Sequence, residues 1–199
     1  MVLYPRERLP LHIHQEPYEQ LTKHCEAEEG LFGVLYQDDG KFAHVGCTAR
    51  IASIVETGTD GRLHVLVETE RRFRMIRLHE EESYYTADVD YLEETKTRAP
   101  RNSLERVFTQ HMRLLEIAGR PVIPQIYEAP DLVSYTIGRN AALTLEEQQA
   151  LLEISTEKER IDYLIAHFKT LLVRLQRNAD IRRRVQSNGH SKEFPTSPE

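Results

Sequence analysis

A chain of 199 residues with 40% hydrophobic side chains can fill a sizeable core, which sets aside a disordered chain as the starting assumption. Its formal net charge of −6 leaves no basic surplus to neutralise phosphates, so nucleic-acid binding would need a segregated patch and is not the expected role. Only two cysteines occur, Cys25 and Cys47, outside any C-x-x-C or zinc spacing; with no apolar run of the about 20 residues that span a bilayer and no apolar leader, they point to a reducing, cytoplasmic setting without a membrane partner.

In chain order, Glu16-Pro17 opens a helix along which Tyr18, Leu21 and Cys25 keep helical spacing, and Gly30 is placed to end it. Leu31 to Tyr36 then reads as a short strand, followed by the turn Asp38-Asp39-Gly40 and a return strand from Phe42. Val45, Cys47, Ala49 and Ile51 share one strand face, and the phase shift at Ile54 and Val55 predicts a bulge or a strand end. A turn over Thr57 to Gly61 leads to Leu63, Val65 and Val67, then Phe73 with Met75, and finally Tyr85, Ala87, Val89 and Tyr91, all on a two-residue period. Antiparallel strands so closely spaced favour a small barrel, here with an early helical insertion.

Around Lys96 to Pro100 the period lengthens to between three and four residues, and the rest of the chain reads as helical. Leu104, Val107, Phe108, His111, Leu115 and Ala118 form one stripe, started by Asn102 or Ser103 and stopped by Gly119. After a loop with Pro121 and Pro124, a short helix is expected from about Asp131 to Arg139. Two capping boxes follow, Thr144-x-x-Glu147 and Thr156-x-x-Glu159. The last helix carries Ile161, Leu164, Ile165, Phe168, Leu171, Leu172 and Leu175 on its apolar face, with Arg182-Arg183-Arg184 near its C-terminal end. The expected organisation is a β subdomain over residues 1–96, a helical bundle over 97–186 and a disordered tail over 187–199.

The chain lacks the phosphate-cradling P-loop, the G-x-S-x-G elbow, the H-E-x-x-H zinc helix and the dinucleotide fingerprint. Lys23, Lys41, Lys96, Lys158, Lys169 and Lys192 all sit among polar neighbours, so none is placed for the burial that would activate an amine in a serine–lysine dyad. His12-x-His14 would put two imidazoles on one strand face, with His24 or Cys25 as further ligands, but four ligands are not in evidence and no metal is expected. Arg71, Arg72 and Arg74 could receive an anion or an acidic peptide, or simply pair with Glu68 and Glu70. The apolar stripe of the last helix is core unless part of it is left uncovered, in which case it would be an adhesive groove.

Taken together, these segments resemble the N-terminal domain of the Lon (ATP-dependent protease La) family. Leu3, Pro5, Leu9, Pro10, Leu11 and Ile13 match its opening, and Tyr18 falls on its helix tyrosine. Phe32-Gly33-Val34, Val45 to Ile51 and Asp60-Gly61-Arg62 are similar to its early strands and turn, Arg72-Phe73-Arg74 to its R-F-R element, and Tyr85 through Glu94 to its Y-x-A-x-V-x-Y-L-E-E segment. Pro130-Asp131-Leu132, Gln148 to Glu153 and Glu159-Arg160-Ile161 extend the likeness through the helices.

The resemblance implies an α+β fold, a PUA-like β pseudobarrel with an inserted helix followed by a C-terminal α-helical bundle. It also implies substrate recognition ahead of ATPase and peptidase domains. Departures are Ile13-His14-Gln15-Glu16-Pro17-Tyr18 where the family commonly has I-F-E-P-R-Y, and Thr69 where it has glycine. The family's strand ahead of the opening is missing, which would leave a sheet edge open to an added peptide strand. With the sequence stopping soon after the last helix, the expectation is a free-standing module without catalytic residues or cofactor. It would bind unfolded or degron-bearing protein segments, as a protease adaptor in one version and with homo-oligomerisation left open. His12, His14, Tyr18, Arg71, Arg72 and Arg74 are the expected binding residues. The alternative is a PUA-like module for a small ligand or RNA; a basic, aromatic-lined cleft would favour nucleic acid, and an apolar groove between barrel and bundle would favour peptides.

Overall fold

The computed structural model describes residues 1–55, 63–80, 83–95, 97–128 and 132–188. Strands come first: β1 (Arg8–Ile13), helix α1 (Glu16–Ala27), β2 (Leu31–Val34), β3 (Gln37–Asp38), β4 (Lys41–Phe42), β5 (Val45–Val55), β6 (Leu63–His79) and β7 (Thr86–Tyr91). Helices follow: α2 (Arg101–Ile117), a 3-10 turn at Pro124–Tyr127, α3 (Val133–Arg139), α4 (Leu145–Glu153) and α5 (Glu157–Asn188). The fold is therefore mixed, with antiparallel sheet and five α-helices. The turn expected over Thr57 to Gly61, the residues Asp60 to Arg62, Lys96, Pro130, Asp131 and residues 189–199 lie outside the described residues. Of the expected tail, Ser187 and Asn188 are helical.

Local chemistry explains the boundaries. α1 closes with Glu29 in the left-handed region at φ 51°, while Gly30 N–H donates to Cys25 O (2.8 Å) and Glu29 N–H to Glu26 O (3.4 Å). This is the two-bond Schellman ending, with Gly30 one place beyond the left-handed residue. The β3–β4 hairpin turns on Asp39 (φ 45°) and Gly40 (φ 76°), the two positive-φ residues that a tight turn matched to strand twist requires. α2 starts at Arg101, earlier than Asn102 or Ser103 would set it, and stops at Gly119 (φ 63°) as expected. Thr144 and Glu147 complete a reciprocal capping box. At Thr156 the hydroxyl accepts from Glu159 N–H (3.2 Å) and donates to the Glu159 carboxylate (2.6 Å), so the return bond goes to the side chain.

The larger sheet runs β1-β6-β5-β2, with β7 paired to the far end of β6 on the side where β1 ends. Among the described residues the ladder does not close on itself; instead α1 packs across the opening, against β5 and β2, and Ser83 Oγ donates to Gln20 Oε1 at 2.6 Å. Three register shifts bend the sheet. The one at Ile51/Ser53 sits inside β5, where the phase shift in sequence predicted a bulge; the strand continues to Val55. A second leaves Ile76 of β6 without a partner on β7. The third decides the fate of Arg72. Cys47 faces Arg72 and Ala49 faces Thr69, so β6 spends three residues against two of β5. The extra residue puts Arg72, rather than Arg71, opposite Cys47 on the buried side of the ladder.

Two apolar clusters result. Ala49, Leu63, Val65 and Val67 pack with Leu9, Leu11, Ile13, Phe32 and Ile54 inside the sheet. The larger cluster joins α2–α5 and takes in Val2, Tyr4 and Val45 from ahead of residue 96. Tyr4 stacks on Tyr135 (5.2 Å) and Thr69 Oγ donates to Tyr4 O (2.6 Å), so Thr69 ties the N-terminal segment to β6. Gly46 lets strands approach closely, since a Cβ there would lie 2.5 Å from Val34 O. β7 and the residue before it depart from the sequence pattern: Tyr85, Ala87 and Tyr91 are exposed despite their two-residue spacing, and among the described residues no element buries that face.

Candidate functional site

The clearest concavity among the described residues lies between the start of α1 and the β6–β7 connection. It has a volume of about 350 Å³ and is lined by Gln15, Pro17, Tyr18, Glu80, Ser83, Tyr84 and Tyr85. Pro17 presets the first helical turn and needs no N–H partner there, which lets α1 begin at the rim. Tyr18 and Tyr85 are 44% and 49% exposed, so their rings face solvent across the cleft. The wall is braced from behind: Phe42 meets Tyr85 edge-on at 5.4 Å, and Tyr84 approaches His24 at 6.4 Å. Among the described residues the lining is aromatic and carries one carboxylate, Glu80, and no cation. It can offer ring faces and hydrogen-bond acceptors.

An apolar groove between sheet and helices, which would have favoured peptides there, is not found among the described residues. That junction is filled by a charged network. Arg72 is 1% exposed; its Nε donates to Glu94 Oε1 (2.6 Å) and its Nη1 to Leu152 O (2.9 Å) and Ile154 O (3.0 Å). Arg160, fully buried, donates from Nη2 to Glu94 Oε2 (2.9 Å) and Glu157 Oε2 (3.1 Å), from Nε to Ser134 Oγ (2.9 Å) and from Nη1 to Ile154 O (2.9 Å). Its guanidinium also lies 4.3 Å over the Tyr135 ring. Burial pushes the Tyr135 and Tyr4 hydroxyls well above the ordinary tyrosine range. Two guanidinium groups and two carboxylates balance, and the last-turn carbonyls of α4 take the spare donors.

The six residues expected to bind therefore separate. Tyr18 lines the cleft. Arg71 is exposed, 3.6 Å over the Tyr91 ring, and Arg74 is exposed on the same strand. Arg72 is interior, with its donors spent on the junction, and does not reach a partner at the surface. His12 meets His64, Nδ1 to Nδ1 at 2.7 Å, and His14 stacks parallel to His12 at 6.3 Å. Glu94, Arg160 and His64 were not expected at a site. Their only sequence signal is the motif context of Glu94 and Arg160; for His64 there is none.

Both thiols are buried, and burial pushes Cys47 up to about 12 and raises Cys25, so neither is an activated nucleophile. Lys23, Lys41, Lys158 and Lys169 are exposed; Lys96 and Lys192 lie outside the described residues. Among the described residues no helix is long and apolar enough to cross a membrane.

The family model of the ATP-dependent protease La (LON) substrate-binding domain matches residues 1–170. The chain belongs to that family. Among curated relatives, Lon protease 2 of Syntrophobacter fumaroxidans is 23% identical over 94% of this chain and 25% of its own length. Lon protease 1 of Hydrogenovibrio crunogenus is 30% identical over 71% of this chain and 18% of its own. The chain thus spans a quarter or less of these relatives, within the substrate-binding domain. Two solved structures share the fold. A Lon N-terminal domain protein from Xanthomonas campestris superposes with a TM-score of 0.68 at 22% identity, covering 83% of this chain and 92% of that one. The N-terminal domain of Mycobacterium avium complex Lon protease gives 0.66 at 18%, covering 84% and 92%.

Proposed function

We propose that this LON substrate-binding domain is a non-catalytic, cytoplasmic module that holds extended segments of unfolded or degron-bearing proteins in the cleft beside α1. The carrying observation is a cleft walled by Pro17, Tyr18, Tyr84 and Tyr85 in a domain of a substrate-binding family. Tyrosine faces give contact area at low entropic cost and tolerate varied sequences, while Gln15 and Glu80 can accept from a peptide backbone. Among the described residues the lining holds no cation to meet a phosphate, which favours peptide over RNA.

The geometry favours side-chain contact over strand addition at β1. Thr69 N–H donates to Glu7 O (2.9 Å), which makes Glu7 and Thr69 a hydrogen-bonded pair. By alternation, the backbone N–H positions of Arg8, Pro10 and His12 then face the open edge, and Pro10 has no donor to offer there. The bent sheet with α1 across its opening supports the PUA-like pseudobarrel reading, and the naming of the relatives as Lon proteases supports a role as an adaptor to such a protease.

The test is fluorescence anisotropy of the full chain with a dye-labelled, reduced and carboxymethylated protein that cannot refold. Tyr18→Ala and Tyr85→Ala are each expected to weaken binding about tenfold. Unchanged affinity in both would sink the cleft, and peptide cleavage abolished by one point mutation would sink the non-catalytic assignment.

A further inference from the structure

We propose that His12 and His64 form a two-histidine chelate, on the outer face of the β1–β6 ladder, for a borderline divalent transition ion such as Zn(II), Ni(II) or Cu(II). The backbone sets this up. His12 faces His64 in register, and counting from the hydrogen-bonded Glu7/Thr69 pair makes theirs a non-hydrogen-bonded position. At such positions the Cα atoms come to about 4.5 Å and the side chains lean together.

The imidazoles meet accordingly. Nδ1 lies 2.7 Å from Nδ1, with the rings edge-on at 4.6 Å. Two nitrogens so close cannot both present lone pairs, nor both carry hydrogens; without an ion one ring donates its Nδ1–H to the lone pair of the other, and a metal would take the place of that hydrogen. A metal at about 2.0–2.1 Å from each nitrogen holds cis nitrogens about 2.8–3.0 Å apart at a right angle, or about 3.3–3.4 Å apart in a tetrahedron. Opening the pair by about 0.1–0.3 Å reaches the right-angle arrangement, and by about 0.6–0.7 Å the tetrahedral one.

Imidazole suits zinc, copper and nickel, and both rings sit on the solvent side, so water can fill the remaining positions. Among the described residues no three ligating side chains converge, which makes this an open, two-ligand site. His14, parallel to His12, is the neighbour nearest to joining it. Two rungs along the same face, Glu68 holds both Arg8 (3.5 Å) and Arg50 (2.7 Å), which keeps those cations occupied. The pairing differs from the one local sequence offers: Cys25 is buried and His24 contacts Glu28 at 3.2 Å, so the second ligand comes from β6. A bound ion would staple β1 to β6 and steady the strand that leads into α1.

The full chain, without an affinity tag and freed of metal by chelator dialysis, should take up one Zn(II) or Ni(II) in isothermal titration. Its unfolding temperature should rise by roughly 3–6 °C for each tenfold excess over the dissociation constant. His12→Ala and His64→Ala should each weaken binding by at least about tenfold, and His14→Ala by less. In the unmutated chain, Ni(II) should broaden the imidazole proton signals of His12 and His64 first, a readout that needs no variant to fold. Undiminished binding in the His12→Ala/His64→Ala double variant, no binding at millimolar ion, or loss in His14→Ala with retention in His64→Ala would overturn the proposal.

Discussion

The junction between sheet and helices and the cleft beside α1 both gather tyrosines and charged side chains, yet they do opposite work. At the junction Tyr135, Arg72, Arg160, Glu94 and Glu157 satisfy one another and the carbonyls of Leu152 and Ile154. At the cleft Tyr18 and Tyr85 stay about half exposed, and among the described residues nothing lies across them. Composition alone would rank the two alike as binding regions. What separates them is whether each polar atom already has a partner inside the chain: where it does the group holds the fold, and where it does not it is available to another molecule.

The sharpest way to break that contrast is to cut the junction. Arg160→Ala leaves Glu94 with Arg72 alone and takes from buried Glu157 its guanidinium partner, and should cost roughly 3–5 kcal/mol in urea unfolding. A near-neutral result would mean that the network is no brace. The next effect is acid sensitivity away from both regions. His111 is fully buried on α2, stacked on Phe168 (5.8 Å) and bonded through Nδ1 to the Tyr127 hydroxyl (2.9 Å).

Burial, with Arg120 adding to it, lowers the His111 pKa to about 4. The folded state thus resists a proton that the unfolded chain accepts near pH 6.5. The stability due to neutral His111 is complete above that pH and is lost as the pH falls from about 6.5 through about 4, by up to about 3 kcal/mol. Urea midpoints measured across this window should decline in the wild type and flatten in His111→Phe. The smallest effect belongs to the cleft: Tyr18→Ala should change stability by less than about 0.5 kcal/mol while weakening peptide capture, the reverse of the junction's pattern.

Much of the fold was legible in local chemistry. The Asp39-Gly40 turn, the Thr144 capping box, the Gly119 stop and the stripe from Ile161 to Leu171 are all short-range signals, and the structure carries each. Tyr18 was singled out by the resemblance of its helix, whose spacing groups it with Leu21 and Cys25, and the structure places it on the rim of the cleft, 44% exposed. The interior place of Arg72 was not legible, since Arg71-Arg72-x-Arg74 reads as one exposed cluster until a bulge in β6 turns its middle member inward. The period of β7 misled in the other direction: Tyr85 and Tyr91 alternate as a buried face would, but alternation records only which residues share a side, not whether anything covers it.

By itself the amino-acid order determined the main turns, the Thr144 cap and the Gly119 stop, and which residues share a side, because turns, caps and periodicity act over a few residues. Only the tertiary structure decided that Arg72 meets Glu94, that His12 meets His64 and that α1 borders the β6–β7 connection. Those meetings depend on strand register and on three extra residues in the ladder. A shift of one residue there sends a side chain to the opposite face, and no local signal records which register wins.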